Sequence, residues 1–281
     1  MVPDRNTLVV GIGEVGGALA EVLERSLPVL RHDLARVDFD CPIGVMHICI
    51  PFLSQTQFVA TTLSYIERFD PELTIINSTV VPGTTRMIGA KSHSPVAFSP
   101  VRGKHVRMVQ DLLRYVKFVA AADPAAATMA TTHFSGAGLR TRSMSKVEGL
   151  ELAKLAETTY FGVLIGYAQE LNRYSERLGV DYSETTEFFE EVDFLPRARY
   201  YPGFIGGHCV IPNIKLLKQV RDSELLNSIL SSNDRRAEEQ AASSSEQGRL
   251  GPRKKARFSE QGRLGPRKKT RFSEPDSERA R

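Results

Sequence analysis

The chain is poor in the features that would place it outside the ordinary water-soluble globules. Of its 281 residues only three are cysteine, at positions 41, 49 and 209. Their spacing fits neither a metal cluster nor a disulfide framework, so no metal site and a reducing, cytoplasmic setting are expected. No apolar run is long enough to span a bilayer, so no membrane partner is expected. The opening, MVPDRNTLVVGIG, runs straight into a strand pattern and lacks a signal-peptide layout.

A genuine excess of one charge sign is also missing from most of the chain. The formal net charge is +4, but residues 234–281 hold 14 Lys/Arg against 8 Asp/Glu, leaving 23 basic and 25 acidic residues for 1–233. The body is therefore slightly acidic, and nucleic-acid contact is expected only through the tail. That tail repeats 14 residues, SEQGRLGPRKKARF from Ser245 and SEQGRLGPRKKTRF from Ser259. With one Leu and one Phe per copy it cannot bury enough apolar area to offset the entropy of ordering, so 234–281 is read as disordered.

What is present begins with alternating strand and helix patterns. Leu8-Val9-Val10 enters Gly11-Ile12-Gly13-Glu14-Val15-Gly16, and Ala18, Leu19, Val22 and Leu23 follow at helical spacing. Apolar runs at 28–30, 45–50, 73–76, 96–98 and 116–120 read as further strands. The alternation implies a parallel sheet with helices on both faces, over residues 1–143. From about Met144 the period becomes helical, with Leu152, Leu155, Thr159, Val163, Tyr167, Leu171, Tyr174 and Leu178 on one stripe ending at Gly179. A helix of that length, about 45 Å at 1.5 Å per residue, is expected to pack against a second subunit. Further helices are expected at 183–191 and 214–230, completing a helical domain over 144–233.

Gly11, Gly13 and Gly16 form the G-x-G-x-x-G turn of a dinucleotide site. The first glycine allows the turn, the second lets the backbone reach a pyrophosphate, and the third lets helix and strand close up. Asp33 follows Gly16 by 17 residues at the end of the next strand, where it binds ribose hydroxyls and repels a 2′-phosphate. NAD is the expected cofactor. Far along the chain, Pro202-Gly203-Phe204-Ile205-Gly206-Gly207-His208-Cys209 presents a thiol on a glycine loop just before a helix. Packing is the competing reading of that cysteine. Lys154, with Glu151 and Thr158 on the same helix face, is either a surface lysine paired with Glu151 or a catalytic cation.

Four segments in this order, GIGEVGG, Ser78-Thr79-Val80-Val81-Pro82-Gly83-Thr84-Thr85, Glu151-Leu152-Ala153-Lys154-Leu155-Ala156-Glu157 and GFIGGHC, resemble the UDP-glucose/GDP-mannose dehydrogenase family across residues 7–230. The resemblance implies a Rossmann-type doubly wound sheet followed by an all-α dimerisation domain. It implies an alcohol carbon oxidised with NAD, and a sugar or sugar nucleotide as substrate. Cys209 is then the nucleophile, forming a thiohemiacetal and thioester, and Lys154 stabilises the oxyanion. Thr158 and Asn213 occupy the positions of the family's asparagine and aspartate. Gly11 to Gly16, Asp33, Pro51, Ser78 and Thr79 hold the cofactor. The family's glutamate is replaced by Val101, and the repeat stands where a second, sugar-nucleotide-binding domain is expected. An oxidoreductase and a non-catalytic NAD-binding dimeric scaffold therefore both remain open. With Lys154 nearby, the Cys209 pKa is expected below the free thiol value of about 8.5.

Overall fold

Leu8, Val9 and Val10 are all buried, because the strand they form, β1 (Asn6–Val10), lies inside a sheet covered on both faces. The computed structural model describes residues 6–34, 39–190, 192, 195 and 200–249. Contacts divide the chain at Gln240 into a unit of residues 1–240 and a second of 241–281. After β1 come α1 (Glu14–Leu23), β2 (Val29–His32), β3 (Ile43–Ile48), α2 (Gln55–Phe69), β4 (Leu73–Ile76), α3 (Thr84–Gly89) and β5 (Val96–Phe98). A single 3₁₀ turn at His105–Arg107 leads into α4 (Met108–Arg114), β6 (Lys117–Ala121), α5 (Pro124–Gly136) and β7 (Thr141–Ser143). The helical part is α6 (Val147–Leu178), α7 (Tyr182–Glu190), α8 (Val210–Val220) and α9 (Glu224–Arg249).

The sheet order is β2-β1-β3-β4-β5-β6-β7. β1 pairs with β2 on one side and β3 on the other, all parallel, so the winding reverses between β1 and β3. Ligands of open α/β sheets sit at the carboxyl ends of strands flanking such a reversal. The expected all-parallel sheet needs one correction. β6 runs antiparallel to β5, because after α4 packs on α1 the chain returns along β5 rather than crossing over. β7 was not expected, since Thr-Arg-Ser carries no apolar signal.

Strand alternation divides the core. Val9, Ile75 and Ala97 point toward α1, α4 and α5, against Leu19, Leu112 and Phe134. Leu8, Ile48 and Phe98 point to the opposite face, against Phe58, Ile66, Ile88 and Leu150. Each fully buried Val, Leu, Ile or Phe among them contributes about 1.5–3 kcal/mol. A third cluster joins Ile205, Val210, Ile214, Leu226 and Ile229 beside α6. Gly162 and Gly166 make that approach possible. A Cβ at Gly162 would lie 2.9 Å from Ile214 Cδ1, and one at Gly166 3.7 Å from Ile229 Cγ2.

α6 has the expected length and ends at Gly179, whose φ of +68° suits a glycine C-cap. The single helix expected at 214–230 is instead two, interrupted where Ser223 N donates to Asp222 Oδ1 at 3.0 Å. Residues 234–249, read from sequence as disordered, belong to α9, and Arg236 is buried. Arg173 reaches Glu239 Oε1 at 2.7 Å and Ser232 O at 3.0 Å, which anchors this end of the helix to α6. Residues 250–281, with most of the repeat, lie outside the described residues.

Candidate active site

The three glycines of the first loop do different work. Gly11 has φ +87°, and a Cβ there would stand 2.7 Å from Cys49 O. A Cβ at Gly16 would stand 1.8 Å from Gly11 O. Both glycines are demanded by the fold itself. Gly13 is exposed, with no atom within 4 Å of where its Cβ would be. It also lies at the N-cap of α1 without a side-chain cap, so the first-turn N–H groups are left for an anion. These features fit a dinucleotide pyrophosphate. Asp33 stands just past β2, where Oδ2 accepts from Ile12 N at 3.3 Å and ties the acidic residue to the loop.

Ser78 follows β4 and donates its hydroxyl to Ile50 O at 2.6 Å, joining the ends of β3 and β4 beside Pro51. Thr79 is half-buried next to it. The turn after them is held from α6. Glu151 accepts from Gly83 N (2.6 Å), Thr85 N (2.9 Å) and Thr85 Oγ1 (2.7 Å). Burial pushes the Glu151 carboxyl pKa up, against these bonds. Glu151 is therefore spent on the turn, and Lys154 pairs instead with Glu157 at 3.4 Å. Thr158 donates to its own helix at Lys154 O, 3.2 Å away.

Cys209 is the N-cap of α8, and Asn213, one turn on, is buried with its N–H on Cys209 O at 3.1 Å. The thiol is half-buried, and this burial pushes its pKa up. Lys154 acts the other way, and Glu14 adds to the rise. The expected depressed thiol pKa is thus corrected: the cation is near, but desolvation outweighs it. Cys209 Sγ lies 3.1 Å from His105 Nε2. Glu14 Oε2, at the start of α1, lies 2.5 Å from His105 Nδ1 and 2.7 Å from His208 Nε2. The imidazoles lower the Glu14 pKa, His208 first, while desolvation opposes them. His105, His208 and Cys209 bring nitrogen and sulfur donors within 4.8 Å of one another. Tetrahedral zinc, with Zn–S about 2.3 Å and Zn–N about 2.0 Å, spreads sulfur and nitrogen to about 3.6 Å. The 3.1 Å contact is a hydrogen bond, and the group is a hydrogen-bonded cluster.

A buried polar chain runs between the strands and α5. His133 meets His47 at 2.9 Å, His47 meets Asn77 Oδ1 at 2.9 Å, and Asn77 Nδ2 donates to Ser99 O at 2.6 Å. Lys117 Nζ donates to the same carbonyl at 2.6 Å and to Pro100 O at 3.0 Å, holding the loop that leads to His105. Burial drives the Lys117 pKa down to about 7 and that of His133 to about 4.

Residues 148–235 match the model of the UDP-glucose/GDP-mannose dehydrogenase family, central domain. This stretch of the chain is similar to that family's central domain. A UDP-N-acetyl-D-mannosamine dehydrogenase of Methanocaldococcus jannaschii is 27% identical over 166 residues, 55% of this chain and 39% of that protein, so the match spans well under half of that relative. The fold is similar to that of a UDP-D-ManNAc dehydrogenase from Pyrococcus horikoshii, with TM-score 0.74 and 19% identity over 85% of this chain and 70% of the other. A UDP-N-acetyl-mannosamine dehydrogenase from Staphylococcus aureus gives TM-score 0.72 and 15% identity over 88% and 72%.

Against the resemblance, the loop glycines, Asp33, Ser78 and Thr79 border the switch between β1 and β3, while Cys209 and Lys154 share one electrostatic environment. Val101, where the family has glutamate, is buried in the core beside α4. His105 and Lys117 were not found from sequence. A separation of 104 residues hides the contact between His105 and Cys209, and a lysine opening a strand carries no mark of burial.

Proposed function

We propose that this protein is an NAD-dependent oxidoreductase that oxidises a primary alcohol or aldehyde carbon of a sugar nucleotide or related sugar through Cys209. One observation carries the reading: the dinucleotide loop and the cysteine loop meet, Glu14 touching His208 at 2.7 Å, one residue from the nucleophile. The named relatives act on UDP-linked N-acetylmannosamine, and that substrate class is carried over as part of the proposal.

Gly11, Ile12, Gly13, Val15 and Gly16 would hold the pyrophosphate, Asp33 the ribose hydroxyls, and Pro51, Ser78 and Thr79 the nicotinamide side. NAD, when bound, supplies the hydride acceptor. Asp33 favours NAD over NADP through repulsion of the extra phosphate. Cys209 adds to the aldehyde carbon, and Lys154 stabilises the oxygen as it gains charge. Asn213 cannot serve as a base, so thioester hydrolysis is slow and an acyl group builds up on Cys209. A homodimer forms along α6, where Tyr160, Tyr167 and Tyr174 stand exposed at heptad spacing.

Incubation with NAD and UDP-N-acetylmannosamine, acid quench and intact-mass measurement should show a sugar-acyl adduct mapping to Cys209. Bound NAD with neither adduct nor product would favour the second reading, a non-catalytic NAD-binding scaffold, for which the burial of Val101 and Asn213 speaks.

A further inference from the structure

We propose that His105, backed by Glu14, is the base that removes the proton from Cys209. The inference rests on the reading of Cys209 as nucleophile and adds a residue that the family resemblance does not supply. Nucleophile, base and orienting carboxylate are joined in turn: Cys209 Sγ to His105 Nε2 is 3.1 Å, and His105 Nδ1 to Glu14 Oε2 is 2.5 Å. An ionised carboxylate only accepts hydrogen bonds, so Nδ1 carries the hydrogen and donates it to Glu14. The Nε2 lone pair is then left facing the thiol. Such a constellation is recognised by geometry and roles rather than by sequence order.

The step is a proton transfer. The S–H bond breaks, an N–H bond forms at Nε2, and the electron pair stays on sulfur. The imidazolium that results faces the Glu14 carboxylate. The thiol needs such help, because burial and Glu14 raise its pKa and Lys154 offsets them only in part. The charged and titratable groups facing it are Glu14 from α1, His105 from the loop after β5, His208 beside it and Lys154 from α6.

The loop is built to hold His105 there. Lys117 fixes Ser99 and Pro100, and Asp111 accepts from Lys104 N and Arg107 Nε, both at 3.0 Å, on either side of the histidine. The family's glutamate position, Val101, lies four residues upstream. The base reaches Cys209 from further along the same loop.

Site-resolved labelling of Cys209 by iodoacetamide between pH 5 and 10 tests this without turnover. A free thiol of pKa about 8.5 is about 3% ionised at pH 7 and the raised Cys209 thiol is ionised less, so full transfer to His105 is worth about 30-fold or more in rate. Expected in His105→Gln are a labelling profile displaced to higher pH and a loss of about tenfold or more at pH 7. Glu14→Gln should give a smaller loss. Added imidazole should restore labelling in His105→Ala, which also shows that this variant is folded. An unchanged pH profile in His105→Gln, or the loss appearing in His208→Gln instead, overturns the assignment. Normal His105 coupling with no NAD reduction would refute the dehydrogenase reading and leave the proton relay standing.

Discussion

Replacing Gly13 by valine and Gly16 by alanine should separate binding from folding within one loop. Gly13 has φ −73° and ψ −159°, extended backbone that a branched residue adopts, and its Cβ would meet nothing within 4 Å. The substitution trades an N-cap preference against lower unfolded-state entropy, so stability should change by less than about 1 kcal/mol. The new side chain would fill the space above the α1 N-terminus, and NAD affinity should fall at least about 100-fold, or ~2.7 kcal/mol. Gly16→Ala does the reverse. Its Cβ would overlap Gly11 O at 1.8 Å, and forced overpacking costs about 1–3 kcal/mol or more. For a unit of this size that is a fall of about 2–12 °C in Tm. Thermal melts and calorimetric NAD titrations of both variants decide it. Unchanged NAD affinity in Gly13→Val, or a large stability loss there with none in Gly16→Ala, would refute the reasoning.

Burial depresses the His133 pKa to about 4 from the ordinary 6.5, so the unfolded chain binds more protons across that window. This contribution to stability is therefore fully present above pH 6.5 and lost as pH falls toward 4, by about 3 kcal/mol; urea midpoints across that range should be flatter for His133→Gln than for the parent protein. Light scattering should give a dimer mass, and Tyr167→Glu, at the centre of the exposed tyrosine stripe, should give a monomer; a monomeric parent would refute the dimer. Truncation before Leu250 should leave Tm within about 2 °C, while truncation before Asp234 removes buried Arg236 and the Glu239 partner of Arg173 and should lower it clearly; equal melts for both would deny α9 its packing role.

The elements legible in the sequence were those whose burial leaves a simple pattern. β4 and β5 were found to the residue because both faces are covered and the runs are apolar apart from Thr74. α6 declared itself by period and by Gly179. Short polar β7 did not, and neither did the break at Asp222, which uses an aspartate cap rather than glycine or proline. In the first loop, Gly11 and Gly16 sit where the backbone leaves no room for a side chain, whereas Gly13 stands in open space at the α1 N-terminus, and Cys209 lies directly before a helix, as its sequence context suggested. The Lys154–Glu151 pair, one of the two readings of that lysine, does not form, since spacing along a helix says nothing of the turn after β4 that Glu151 holds. The thiol pKa was misjudged because sequence reveals a neighbouring cation and conceals desolvation. His105 and Lys117 become visible only when the β5–α4 loop is placed in space.

The central claim is hydride transfer to NAD coupled to chemistry at Cys209. NADH absorbance should be followed with the full chain, NAD and a panel of UDP-sugars, GDP-mannose, free sugars and hydroxy acids, alongside Cys209→Ser. NADH is expected with a sugar nucleotide in the parent protein, with oxidation to the acid abolished in Cys209→Ser. Absence of NADH with every compound while calorimetry shows NAD bound, or full oxidation to the acid in Cys209→Ser, would contradict the account.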